Sequence, residues 1–207
     1  MKTREEMVNE LFKIKIPAGL INYIAKKERS VLGAGTMNSL SKMNDQAIRS
    51  LYSAIIDDKE ERDDYLLIRT TMWLVSKFQS AKISIDHPVP NIGDFRIVCL
   101  NEDDDILVVV DCKMNQYEWN QIDEFISKLR ILKEREMKLT NAFVVSRNAD
   151  ASEIVNKLKD VQGMGSDGTF VTKEKQGLGG LVGGKPNKIN FSMLIEKSKE
   201  NHEKVFP

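Results

Sequence analysis

The sequence predicts a mixed α/β fold: a β-sheet flanked by helices, entered through an all-helical N-terminal segment. Three observations carry this. Two apolar runs, 94–100 and 106–113, are separated by the acidic turn Asn101-Glu102-Asp103-Asp104-Asp105 and read as a strand hairpin. Tyr117 to Lys138 then repeats Trp119, Ile122, Phe125, Ile126, Leu129 and Leu132 at spacings of three and four, the period of a helix. Ala142-Phe143-Val144-Val145-Ser146 reads as a buried strand and Ser152 to Lys159 as a helix, so strands and helices alternate as they do in layered α/β folds.

The remaining elements follow in order. Residues 3–13, 18–29 and 44–56 read as helices, the second entered through Pro17 and the third capped at Met43-Asn44-Asp45-Gln46. Between the last two, Val31 to Met43 is rich in Gly, Ser and Asn and is expected to be a loop. At about a dozen residues it is too long for the tight turn of a helix-turn-helix. The segment 1–56 is expected to be a cap or arm, because so short a stretch buries little on its own. A helix over 60–79 is apolar on most sides and calls for burial. Lys82-Ile83-Ser84-Ile85 reads as a short strand, and His87-Pro88-Val89-Pro90 as a stiff turn delivering the chain to Asp94. Eight of the 12 glycines fall between Gly163 and Gly184. The run Gly177 to Lys185 lacks the Gly-Lys-Ser/Thr ending of a phosphate loop and is expected to be flexible. Asn190 to Lys204 is read as a C-terminal helix.

Composition narrows the chemistry. With 207 residues and 41% hydrophobic content the chain can hold one sizeable core plus an appendage. No apolar run reaches membrane-spanning length and no signal peptide opens the chain, so the expectation is a cytoplasmic, soluble protein without membrane contact. Two histidines and two cysteines leave no basis for a zinc ribbon, a histidine-rich metal site or a disulfide framework. The balanced total of 31 basic and 31 acidic residues hides a partition: 56–125 carries 7 basic and 16 acidic side chains, whereas 126–162 carries 8 and 5. This partition would serve a protein that holds a cation beside phosphates, though the acidic run 57–64 also suits a helix N-terminus and the turn 101–105 a solvated hairpin tip.

The chemistry centres on Gly93-Asp94-Phe95-Arg96 and on Val110-Asp111-Cys112-Lys113. Asp111 and Lys113 stand at i and i+2, so both face one side of a strand while Cys112 faces the other. A hairpin register pairing Asp94 with Asp111 or Lys113 would bring their Cβ atoms to about 5 Å. Two carboxylates and an amine then converge. Mg²⁺ prefers hard oxygen ligands and keeps several waters, and a neighbouring amine can orient a water or offset charge on a phosphoryl transition state.

These residues resemble the PD-(D/E)XK nuclease superfamily. Asp94 stands at the Asp of its second motif, Asp111-Cys112-Lys113 reads as its D-X-K, and Gly93 replaces the usual Pro. The resemblance covers roughly residues 57–160. It implies a restriction-endonuclease-like mixed β-sheet flanked by helices, with 57–162 as the nuclease core, 1–56 as a helical cap or arm, and 163–207 as a Gly-rich loop and C-terminal helix packed on or extending the core. It also implies a Mg²⁺-dependent DNA endonuclease, with Mn²⁺ able to substitute. Asp94, Asp111 and the Cys112 backbone carbonyl would bind metal, Lys113 would assist the attacking water, and Gln121, rather than Gln116, would be the glutamine that several branches carry near the metal. One more acid from the preceding helix often joins them; Glu60, Glu61 and Asp64 are the candidates, with Glu61 and Asp64 sharing a face. Lys128 and Arg135, on a basic outward face with Arg130, Lys133 and Lys138, and Arg147 past the following strand, would contact DNA. Many relatives act as homodimers. The alternative is a catalytically inactive nuclease fold serving as a nucleic-acid-binding or scaffolding module, or an α/β interaction module whose resemblance is accidental.

Overall fold

Local signals account for the first helices. Helix α1 (Arg4–Leu11) starts at Thr3, whose hydroxyl accepts from the Glu6 N–H while Glu6 accepts from the Thr3 N–H, a reciprocal cap. Helix α2 (Ala18–Lys27) follows Pro17. Helix α3 (Thr36–Lys42) corrects the loop expected over 31–43: the Ser39 hydroxyl donates to the Gly33 carbonyl at 2.7 Å, and Leu40 and Met43 are buried. Helix α4 (Asp45–Ile55) is capped by Asn44, whose side chain accepts from the Ala47 N–H at 2.9 Å. Helix α5 spans Tyr65–Lys77.

The computed structural model describes every residue except Met1, 58–63, Ser80, Gln116, Met137, 148–150, 173–186 and 199–200. The expectations placed on Glu60, Glu61, Gln116 and the run 177–185 therefore lie outside the described residues. The chain divides into two units, Met1–Ile85 with Cys99–Asp104 and Asp86–Val98 with Asp105–Pro207. The first has a core of its own: Leu11, Leu20, Ile24, Ile48 and Leu51 cluster with Ile68 of α5. The expectation that 1–56 would bury little is corrected, since four helices pool their apolar faces with a fifth. Close approach is needed at Gly19 of α2, where a Cβ would lie 1.9 Å from the Ile83 carbonyl oxygen.

Seven strands form one mixed sheet: β1 (Lys82–Val89), β2 (Gly93–Leu100), β3 (Ile106–Lys113), β4 (Asn141–Ser146), β5 (Thr169–Thr172), β6 (Asn187–Ser198) and β7 (Asn201–Phe206). The order is β1-β2-β3-β4-β6-β5, with β7 also pairing β6. Strand β1 continues through His87-Pro88-Val89, correcting the turn expected there; at the edge of the sheet Pro88 forfeits no interior ladder bond, and the reversal falls at Pro90–Ile92. In the acidic turn 101–105 the Asp104 N–H donates to the Asn101 carbonyl, and the charges are met by cations, Asp104 by Lys82 at 2.9 Å and Asp105 by Lys138 at 2.6 Å.

The centre of the sheet is parallel. Helix α6 (Trp119–Arg135) carries the chain from β3 to β4, and helix α7 (Ser152–Lys159) follows β4. Lys113, Ser146 and Ile195 stand in register across β3, β4 and β6. Strand β6 overturns the C-terminal helix expected over 190–204. Phe191, Leu194 and Ile195 have helical spacing, but Ile189, Phe191 and Met193 alternate, and pairing with β4 on one edge and with β5 and β7 on the other decides the outcome. An aromatic run, Phe95–Phe125–Phe191–Phe206, crosses this unit's core with ring centroids 6.2, 6.5 and 6.2 Å apart. Both cysteines are free thiols. Among the described residues no helix is long and apolar enough to cross a membrane.

Candidate functional site

Strands β2 and β3 and helix α6 enclose a cleft of about 250 Å³. Asp94, Phe95 and Arg96 line it from β2, Asp111, Cys112 and Lys113 from β3, Tyr117 from the α6 approach, and Gln121, Glu124, Phe125 and Lys128 from α6 itself. Asp94, Asp111, Lys113 and Gln121, the four residues expected to carry the chemistry, thus share one cleft.

Backbone geometry explains how they arrive there. Gly93 opens β2 at φ +114°, a conformation closed to proline, whose ring fixes φ near −65°. Asp94 follows it as an exposed residue at the mouth. Parallel pairing with β4 aligns Asp111 with Val144 and Lys113 with Ser146, which fixes the end of β3 where the cleft opens. Helix α6 then begins with a reciprocal cap: the Glu118 side chain accepts from the Gln121 N–H, and Gln121 Oε1 accepts from the Glu118 N–H at 3.1 Å. The same Oε1 accepts from Lys113 Nζ at 2.8 Å. One amide oxygen therefore ties the helix start to the strand end, and the lysine ammonium is oriented before any ligand binds.

Burial dominates the electrostatics at the end of β3. Desolvation raises the Asp111 carboxyl above its ordinary pKa, against the opposing pull of Tyr117, the Cys112 N–H, Arg96 and Lys128. The Cys112 thiol is pushed up to about 12 by burial and by the Asp111 charge, so its sulfur stays protonated. The Tyr117 side chain is buried beside Asp111, and burial first, then the Asp111 charge, raise its hydroxyl pKa well above the ordinary value. Arg96 pairs with Asp86 through Nη1, and Lys128 with Glu124 at 2.7 Å.

Asp94 and Asp111, with carboxylate oxygens, and Cys112, with a backbone carbonyl, are the cleft residues that could hold a hard cation such as Mg²⁺. They form no closed protein cage, because among the described residues no three His, Cys, Asp or Glu side chains gather closely enough to form one. Asp64, expected as an additional ligand, is buried in the helical unit, where its carboxylate accepts from Lys27 Nζ at 2.8 Å.

The residues expected to contact DNA separate. Lys128 lines the cleft, Arg135 donates to the Pro90 carbonyl at 2.9 Å, and Arg147 Nε lies 3.5 Å from the buried Glu196 carboxylate. Lys133 corrects the outward basic face: it is buried, donates to the Leu139 carbonyl, and has its pKa lowered by desolvation. Arg96, Tyr117 and Glu124 were not among the expected residues. Arg96 was legible as the i+2 neighbour of Asp94, and Glu124 and Lys128 stand at i+3 and i+7 from Gln121 on one helical stripe. Tyr117 carried no such periodic signal. Searches against protein-family models, curated proteins and solved structures return no match to this chain.

Proposed function

We propose that this chain is a Mg²⁺-dependent endonuclease that hydrolyses DNA phosphodiester bonds on a restriction-endonuclease-like core. The observation that carries the reading is the convergence of Asp94, Asp111 and Lys113 in one cleft, with the Lys113 amine bound to Gln121 at 2.8 Å. The order of elements, a three-strand meander ending in Asp111-Cys112-Lys113, then a long helix and a parallel strand, supports it.

Each residue has a role set by its chemistry. Asp94 and Asp111 would hold the cation through carboxylate oxygens, with the Cys112 carbonyl beside them. The bound cation supplies positive charge to a phosphate oxygen and lowers the pKa of a coordinated water. Lys113 directs N–H donors to the attacking water or to the oxygen that gains charge, and Gln121 keeps that ammonium from swinging away. Arg96 and Lys128 bring positive charge to the same walls, where they would meet the backbone of the nucleic acid.

A second reading is a module of this fold that binds nucleic acid without cutting it. The small donor set favours it: the third acid lining the cleft, Glu124, is committed to Lys128. Linear, nicked, flapped and branched DNAs incubated with Mg²⁺, Mn²⁺ or EDTA separate the two. The nuclease gives metal-dependent cleavage that is lost in Asp111→Ala and Lys113→Ala, while Asp111→Ala still binds DNA. Absence of cleavage of every substrate by folded wild type, with DNA binding retained, establishes the second reading instead.

A further inference from the structure

Helix α2 ends on a residue that its backbone does not favour. The Ser30 N–H donates to the Ala25 carbonyl at 2.7 Å and the Arg29 N–H to that of Lys26 at 3.3 Å, the paired bonds that close a helix through a left-handed residue. Glycine suits that position, yet the exposed Arg29 holds it at φ +50°. A cation kept in a strained conformation points to a use for its side chain.

Two large apolar side chains stand beside it in solvent, Val31 at 70% and Leu32 at 39% exposed. The loop that carries them is pinned at both shoulders. Ser30 Oγ accepts from the Asn44 N–H at 2.7 Å, the Ser39 hydroxyl donates to the Gly33 carbonyl at 2.7 Å, and a Cβ on Gly33 would lie 2.7 Å from the Asn38 carbonyl oxygen. These contacts bring the end of α3, with Lys42, against the end of α2, with Lys26. Lys26, Arg29 and Lys42 are all exposed, and none pairs with an acid among the described residues. The acids of this neighbourhood are engaged: Glu28 accepts from the Ser50 hydroxyl at 2.7 Å, Asp45 meets Arg4 at 3.1 Å, and Asp64 meets Lys27 at 2.8 Å.

We infer that this face of the helical unit is a contact for duplex DNA, in which Lys26, Arg29 and Lys42 meet phosphates and the Val31-Leu32 tip enters the minor groove. The choice of DNA rests on the function proposed above; the choice of a duplex rests on the patch itself. Aliphatic wedges enter a minor groove between its phosphate walls. Single strands are held instead by stacking on aromatic rings, which residues 26–35 lack. A bilayer is a poorer match, since a whole myristoyl chain binds membranes only marginally and Val31 with Leu32 offer less apolar surface. A second copy of the chain would set like charges against each other.

Fluorescence anisotropy of a labelled duplex and of its single strand, with the full chain in EDTA, tests this apart from any cleavage. Arg29→Gly relieves the backbone and removes a charge. The urea midpoint of the helical unit, read from Trp73 in a Trp119→Phe background, should therefore equal or exceed that of the parent. Its duplex binding should weaken, and the slope of log affinity against log salt should fall by about 0.9, as it should in Lys42→Gln. Val31→Ser with Leu32→Ser should weaken duplex binding about tenfold, leave the slope unchanged and erase the wild-type preference for duplex over strand. Equal duplex affinity in wild type and every variant overturns the inference, as does a wild type that binds no duplex; metal-dependent cleavage, measured alongside, reports on the cleft independently. A lowered urea midpoint in Arg29→Gly makes the arginine structural and sinks the inference. Variants that keep duplex affinity but lose binding to phosphatidylserine–phosphatidylcholine vesicles assign the face to a bilayer instead.

Discussion

The aromatic run Phe95–Phe125–Phe191–Phe206 offers the sharpest test of how the sheet-bearing unit holds together. Phe125 is its hub, meeting Phe95 edge to face at an interplanar angle of 71° and Phe191 in a tilted arrangement at 53°. Truncating it in Phe125→Ala removes a buried ring and leaves a cavity, at a cost of about 3–5 kcal/mol. Against a typical total of about 5–15 kcal/mol, that is a large share of the fold's stability. The directional part is isolated by Phe125→Leu and Phe191→Leu made singly and together, where the coupling energy should be about 0.5–1.5 kcal/mol. Phe95→Leu with Phe206→Leu, at the two ends of the run, should add to within about 0.5 kcal/mol. The chain has two tryptophans, Trp73 in the first unit and Trp119 in the second, so urea unfolding read by fluorescence in a Trp73→Phe background reports on the relevant unit alone. A Phe125–Phe191 coupling indistinguishable from zero, or a cost below about 1 kcal/mol for Phe125→Ala, would refute the claim that ring-on-ring packing organises this core.

Two further outcomes follow from local geometry. Gly93→Pro should destabilise by more than about 1 kcal/mol in thermal unfolding and displace Asp94, because φ at this position is +114°; an unchanged melting temperature would contradict that backbone. His202 on β7 stands opposite Glu196, whose carboxylate meets Arg147, and burial lowers the imidazole pKa to about 4. The unfolded chain takes up that proton near pH 6.5, so between about 6.5 and 4 the unfolded state binds more protons and stability falls as the pH falls. Partial exposure limits the loss to on the order of 1–2 kcal/mol. His202→Leu should flatten the pH dependence of the urea midpoint over that window, and an unaltered slope would count against it.

What could be read in the sequence was what depends on neighbours a few residues apart. The β3 limits, Asp111-Cys112-Lys113, the helix over 152–159 and the stripe of α6 all follow from periods of two or 3.6 residues. The failures share a different cause. Residues 190–204 hold helical spacing at Phe191, Leu194 and Ile195, and only pairing with β4, far back in the chain, makes them a strand. Lys133 reads as a surface cation until the carbonyl of Leu139 is seen to receive it. At the cleft, the acids and the lysine were legible as a motif, but the burial of Tyr117 beside Asp111 and the double use of Gln121 Oε1 exist only in three dimensions.

Strand β6 has a consequence for how the molecule comes together. It lies inside the sheet, yet it begins at Asn187, long after β4 ends at Ser146. Until it docks, β4 presents an open edge beside an exposed apolar face, a surface that invites pairing with another chain. Parallel contacts over such sequence separations close slowly. Chains cut before β6 would therefore be expected to aggregate rather than fold to a smaller sheet, and the interval before β6 arrives is when a full-length chain has most need of a chaperone.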